Sequence, residues 1–300
     1  VTVAASPATS TENGEHAELR EAILAWSATE TGDREMLPWR QTRDPWAVLL
    51  SELMLAQTQV ARVAERFPAL LSQFPTPKAC ADAPLGEVVV SWSGLGYNRR
   101  AVALWRCAGA LVERHGGEVP RSLDELLALP GVGPYTARAV LAFAFDEPVG
   151  VVDVNIRRSL LRAFSGGTLT SSQIQTLADD LVSGVGSRRW NLALMDFGAT
   201  ICRARSPKCS SCPISGACAW RRGGEEADPG ARRSRQSPFA GSDRQGRSRL
   251  LTAAFSGAVA ISEVGSAAGW PDDPVRARRM LDELVADGLL VVGSDTFFLP

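Results

Sequence analysis

Apolar residues recur at three- and four-residue spacing through most of positions 17–220, the period of helices that bury one face. Asp44-Pro45 precedes WAVLLSELMLAQ, setting a capping carboxylate before a proline in the first turn. Ser122-Leu-Asp-Glu125 precedes LLAL and has the form of a capping box. Strand-like runs are scarce, and PVGVV at 148–152 is short and apolar enough to be a buried one.

Beyond this helical region the pattern changes. Positions 222–248 lack apolar periodicity and are rich in Gly, Pro, Ser and Arg, which predicts a linker. In 249–300, RLLTAAF and ISEVGSAAG are short helical candidates. A longer helix follows, with positions 277, 280, 281, 284 and 285 on one face and Gly288 as its stop. LLVV and TFFL flank GSD as a β-hairpin. Helices followed by a hairpin predict a small winged-helix-like module. The expected organisation is mainly α: a disordered tail at 1–16, a helical region at 17–221, a linker at 222–248 and the module at 249–300.

Composition narrows the class. The 300 residues are 45% hydrophobic and 22% charged, ordinary for a globular chain with a good core. No run of eighteen apolar residues suggests a membrane span, and the N-terminus lacks a signal-peptide pattern, so a cytoplasmic protein is expected. Net charge is −1, so total charge does not argue for nucleic acid. The only lysines are Lys78 and Lys208. Of six cysteines, Cys80 and Cys107 are isolated and four cluster late, which favours a metal site over disulfides in a cytosolic chain.

Cys202, Cys209, Cys212 and Cys218 are spaced C-x6-C-x2-C-x5-C. Four thiolates from one short segment can bind one iron each of a [4Fe-4S] cubane. Structural zinc fits less well, because four-cysteine zinc sites usually come as two short-spaced pairs. Unliganded core cysteines fit poorly with loops carrying Pro207 and Pro213. Arg203, Arg205 and Lys208, between the first two candidate ligands, suit either phosphate contact or a solvated loop.

Leu129-Pro-Gly131-Val-Gly133-Pro-Tyr135 joins two helical segments. Two glycines allow a tight turn, and the next helix points its N-terminus at the same spot, which favours an anion. This reads as a helix-hairpin-helix grip on a DNA phosphate; a plain turn is the bland alternative. Glu52 has Val48, Leu49, Leu55 and Ala56 as helical neighbours, so it lies off any solvated face. Burial there raises a carboxyl pKa, as suits a proton donor, although a structural Glu bonded to backbone is the alternative. Asp153 ends an apolar run and is placed to cap the next helix.

The cysteine spacing and the helical chain before it resemble the endonuclease III/MutY family of DNA glycosylases over roughly 20–220, most closely the adenine-specific MutY type. The resemblance implies a helix-hairpin-helix glycosylase fold with a [4Fe-4S] cluster. It matches Glu52 to the general acid that protonates adenine N7. It matches Asp153 to the carboxylate that stabilises the oxocarbenium-like sugar, and Asn155 to its companion. Val154 stands where the family often has glycine. Tyr135 occupies the position of the Schiff-base lysine in bifunctional relatives, which implies a monofunctional enzyme. Gln57 and Tyr97 match residues that wedge into the duplex around the opposing base. Trp39, Arg40 and Leu55 match the adenine pocket wall. Ala56 and Leu192 depart from the usual polar residues at their positions.

The implied partner is duplex DNA with adenine opposite 8-oxoguanine or guanine, bound by a monomer at the nucleoid. Positions 249–300 are too few for the Nudix-like domain of longer relatives, so the chain resembles a short form. Arg232, Arg233, Arg235, Arg244, Arg247 and Arg249 suit phosphate attraction or a solvated tether. A G:T mismatch thymine glycosylase is the runner-up, and a non-catalytic DNA-binding iron–sulfur protein is the alternative from another class.

Overall fold

The computed structural model describes residues 10–30, 32–224, 228, 230 and 238–300. They form two compact units. One holds the described residues of Val1–Arg43 and Pro134–Arg233, and the other those of Asp44–Gly133 and Ser234–Pro300. This differs from the linear division suggested by the sequence: the C-terminal segment belongs with 44–133.

Both units are mainly helical. In the first, helix Ser10–Glu30 packs against helices Ser171–Val182 and Ser187–Thr200. Ile23, Ile156, Leu160, Trp190 and Phe197 lie in one core, each no more than 1% exposed. The first helix begins at Ser10, so 10–16 is helical where a disordered tail was expected; 1–9 lie outside the described residues.

PVGVV does not form a strand. It is an extended connection whose backbone groups are bonded by side chains. Gly150 N–H donates to Asp179 (2.7 Å) and Val151 N–H to Asn191 (2.8 Å), while Asn191 Nδ2 and Ser187 Oγ donate to the Val149 carbonyl (3.0 Å each). A buried segment without a strand neighbour needs such partners, because an unpaired peptide group costs as much as a lost hydrogen bond. The run delivers Asp153 to the start of helix Val154–Ser159. That helix passes into a π-helical turn, Leu160–Ser165.

In the second unit, helix Pro45–Leu55 starts at Asp44, whose side chain accepts from Ala47 N–H at 2.7 Å. The predicted capping box at Ser122 is absent: helix Leu123–Leu127 starts there without a side-chain cap. A capping box forms instead at Thr170 and Gln173 of the first unit. Helix Pro77–Asp82 packs on Arg99–His115 and buries Cys80 and Cys107, both 0% exposed. Burial pushes each thiol up to about 12, so both remain protonated core side chains at neutral pH.

The C-terminal segment has helices Asp243–Ala253, Val264–Ala268 and Pro274–Ala286 and a three-stranded antiparallel sheet. Val291–Val292 and Thr296–Phe298 form the expected hairpin, and Val259–Ala260 adds to its other edge, making Thr296–Phe298 the centre. Helix Pro274–Ala286 buries Ala277, Met280, Leu281 and Leu284, whereas Val285 is 37% exposed.

The expected linker is shorter than drawn, because Asp243–Ala253 is helical. Arg232, Arg233 and Arg235 lie outside the described residues. Arg247 pairs with Glu283 (2.9 Å) and with Asp287, and Arg244 lies over the Phe239 ring. Arg249 is exposed and lies against Gly269. Arg247 is thus committed to internal ion pairs, which removes it from the tether expected to attract phosphate.

Candidate active site

Glu52 lies within helix Pro45–Leu55 and is 4% exposed, although most of the buried side chains of that helix are apolar. Leu55 is half-buried, and Ala56 and Gln57 beyond it are exposed. Gln57 and Tyr97 both take left-handed backbone conformations, φ 63° and 48°. Such conformations are uncommon for residues other than glycine and persist where surrounding contacts hold them. Tyr97 is 48% exposed, which excludes core packing as its role.

One guanidinium joins these two segments. Arg100 donates to the carbonyls of Leu53 (2.7 Å), Met54 (2.9 Å), Leu95 (3.2 Å) and Gly96 (3.0 Å), and to the Thr58 hydroxyl (2.8 Å). Its carbon lies 5.2 Å from the Trp92 ring centre and 5.6 Å from that of Tyr97. Burial lowers its pKa to about 10, so it stays charged at neutral pH. Nothing in the local sequence marked this arginine, because its acceptors lie on both sides of a long gap in the chain.

The turn before Pro134 is also explained sterically. Gly131 has φ 77°, and a Cβ there would meet Ala103 Cβ at 2.6 Å, so only glycine fits. A Cβ at Gly133 would meet nothing within 4 Å, so that side of the turn is open. Tyr135 is half-buried on the first turn of helix Pro134–Ala144. The two lysines are elsewhere: Lys78 is exposed and paired with Asp82 (2.7 Å), and Lys208 is on the cysteine loop.

Asp153 caps its helix as expected. One oxygen accepts from the N–H groups of Asn155 (2.9 Å) and Ile156 (2.6 Å), the other from Asn155 Nδ2 (2.9 Å). Burial still raises its pKa above the usual aspartate value, against the lowering effect of these bonds and of the Arg158 charge. Asn155 Oδ1 in turn accepts from Arg158 (3.0 Å), and Arg158 Nε donates to the Cys202 carbonyl (2.7 Å). A continuous set of hydrogen bonds thus ties Asp153 to the cysteine segment. Gly198 lies against Asn155, where a Cβ would come within 2.9 Å of Asn155 Cβ.

Trp39 is 7% exposed on the short helix Pro38–Arg40. Arg40 grips buried Asp196 with two bonds of 2.7 and 2.9 Å, and Arg34 binds the same carboxylate. Arg188 donates to the carbonyls of Arg40 (2.6 Å) and Thr42 (3.2 Å). Arg40 therefore fixes the Trp39 segment, and its guanidinium is committed to Asp196. Asp196 and Arg188 were not singled out by sequence, since neither stands in a recognisable local pattern. Leu192 is half-buried on the same helix as Asp196, Ser187–Thr200.

All four clustered cysteines line one pocket together with Arg162 and Trp220. Among the described residues, no three His, Cys, Asp or Glu side chains are gathered tightly enough for a single ion. Arg162, from the π-helical turn, points N–H at Cys202 Sγ (3.6 Å) and donates to the Arg203 carbonyl (2.8 Å). Asp228 holds the other side of its guanidinium (2.8 and 2.5 Å). Burial, and the other three cysteines, raise the Cys212 thiol to about 11, which marks the four sulfurs as electrostatic neighbours. Arg203, Arg205 and Lys208 are exposed on the loop.

The class follows from comparison with known proteins. Residues 50–183 match the HhH-GPD superfamily of base excision DNA repair proteins. The chain is 40% identical over 280 residues to the adenine DNA glycosylase of Mycolicibacterium smegmatis, covering 92% of this chain and 94% of that one. It is 40% identical over 216 residues to the human adenine DNA glycosylase, covering 67% of this chain and 39% of the human protein. Among solved structures, a thermostable thymine-DNA glycosylase superposes with TM-score 0.66 and 34% identity, over 70% of this chain and 98% of that one. An endonuclease III in a non-covalent DNA complex gives 0.59 and 26%, over 73% of this chain and all of that one. The chain belongs to the HhH-GPD superfamily and, within it, to the MutY-type adenine DNA glycosylases.

Proposed function

We propose that this protein is a monofunctional adenine DNA glycosylase that removes adenine opposite 8-oxoguanine or guanine. The observation that carries the reading is Glu52, a carboxyl group 4% exposed in a largely apolar helix. Burial disfavours the charged form of a carboxyl group in general, which suits a proton donor.

The adenine leaves the base stack, at a cost of a few kcal/mol. Glu52 gives its proton to N7 and makes the base a leaving group. Ionised Asp153, held by its cap bonds and by Asn155, stabilises the positive charge that develops on the sugar. Water completes the hydrolysis. Tyr135 supplies no amine, so no Schiff base forms and the strand is not cut. Trp39 and Leu55 contact the base, with Arg40 setting the Trp39 segment. Gln57 and Tyr97 meet the opposing base. Gly131 and Gly133 let the hairpin approach a phosphate, and Arg203, Arg205 and Lys208 add phosphate contacts.

Cys202, Cys209, Cys212 and Cys218 would hold a [4Fe-4S] cluster, which when bound supplies iron–thiolate bonds that fix the loop. The C-terminal helices and sheet are read as a winged-helix-like module. The enzyme works as a monomer in the cytoplasm at the nucleoid; no described helix is long and apolar enough to cross a membrane.

Glu52→Gln keeps the shape of the side chain and removes the titratable proton. It is expected to bind an A:8-oxoguanine duplex like the wild type while releasing no adenine. Base release at the wild-type rate overturns the mechanism.

The thymine glycosylase that superposes on this chain favours a second reading, G:T repair. Against it, that superposition spans 70% of the chain, whereas the match to the mycobacterial adenine glycosylase spans 92%.

A further inference from the structure

We propose that Arg100 is a positioning residue that locks Gln57 and Tyr97 into one preset reading element for the base opposite the excised adenine. The inference rests on the adenine glycosylase reading and deepens it.

Gln57 and Tyr97 lie 40 positions apart and share an unusual feature: both are non-glycine residues in the left-handed region, and both are exposed. A free loop would relax out of that conformation. Here five acceptors from the two segments converge on one guanidinium. Two of them, Leu53 and Met54, are terminal carbonyls of the helix that carries Glu52, where a cation also meets the negative end of the helix dipole. Thr58 Oγ1 both accepts from Arg100 and donates to the Leu95 carbonyl (3.1 Å), closing the link between segments. Arg62 adds a bond to the Gly94 carbonyl (3.1 Å) from helix Val60–Gln73.

Only a planar fork can serve acceptors on both segments at once. A lysine ammonium keeps the charge but reaches fewer of them. With the fork gone, Gln57 and Tyr97 should move independently. Ordering them would then fall to the DNA-binding step, weakening most the duplexes that depend on both.

The test compares wild type, Arg100→Lys and Thr58→Val on duplexes carrying a non-cleavable 2′-fluoro-deoxyadenosine opposite 8-oxoguanine or opposite thymine. The readouts are the affinity ratio between the two duplexes, the single-turnover rate on cleavable A:8-oxoguanine at saturating enzyme, and the melting temperature. Arg100→Lys should lower the affinity ratio by about tenfold, the effect of losing one or two charge-assisted hydrogen bonds. The saturated rate should change much less. Thr58→Val, nearly isosteric, should shift the ratio in the same direction by a smaller factor, and it decides the matter should Arg100→Lys fail to fold. A wild-type ratio in the folded variants, with only a lower melting temperature, overturns the proposal and leaves Arg100 a stabilising residue. A wild type without preference for adenine opposite 8-oxoguanine overturns the underlying function instead, so the two failures are distinct.

Discussion

At the scale of single residues, Asp153 carries opposing demands. Burial favours its neutral form, while two backbone N–H groups, Asn155 and the Arg158 charge favour the anion, and burial wins. An acid whose pKa is raised by folding binds its proton more tightly in the native state. Stability therefore falls as pH rises from the ordinary aspartate value through the folded one, and the loss is complete above it. Under the proposed mechanism activity runs the other way, because only the anion stabilises a cationic sugar. The acid limb of single-turnover adenine release should lie above the ordinary value of 3.8. Asn155→Ala removes one lowering interaction and should move that limb to higher pH. A pH–rate profile identical to the wild type would show that Asp153 does not set the limb.

The same scale shows what sequence could reveal. Asp153 was legible because a cap needs only its own next three residues, and Asp44 likewise. The burial of Glu52 was legible because its apolar neighbours are one helical turn away. Arg100, Arg158, Arg188 and Asp196 were not, since each acts on backbone or side chains dozens of positions distant. Ser122 had the local form of a capping box and does not make one. Local pattern names candidates, but long-range partners decide which of them form.

At the scale of elements, close packing sets the position of the Asp153 cap. Helix Ser187–Thr200 approaches Asn155 at Gly198, where a Cβ would sit 2.9 Å from Asn155 Cβ and 3.0 Å from its carbonyl carbon. Backbone on one side leaves no flexible atom to yield. Gly198→Ala should cost about 1–3 kcal/mol, the usual range for overpacking. It should also slow base release by displacing Asn155. An unchanged melting temperature and rate would mean that the helices separate freely there. The PVGVV run makes a related point. Its apolar content suggested a strand, yet Asp179, Asn191 and Ser187 satisfy its backbone in place of a neighbouring strand. A short buried run does not declare whether its partners are backbone or side chain.

At the scale of the whole molecule, the chain is divided by contact and not by order. The C-terminal segment belongs with 44–133, through the Gly86 N–H to Pro300 carbonyl bond (3.0 Å) and the Arg99–Asp287 pair (3.7 Å). Such pairings between distant segments leave no mark in periodicity, so the sequence drew a separate tethered module. Chemistry at this scale depends on what the chain lacks in amines as much as on what it carries. With Tyr135 on the helix after the hairpin and Lys78 paired to Asp82, borohydride should trap no covalent adduct with substrate DNA. A trapped adduct on a denaturing gel would contradict the monofunctional mechanism.

The most direct measurement is single-turnover base release from a set of otherwise identical duplexes carrying A:8-oxoguanine, A:G, G:T and A:T. Free adenine is expected from the first two, no thymine from G:T, and strand cleavage only after heat or alkali. Release of thymine from G:T with adenine left in place would contradict it.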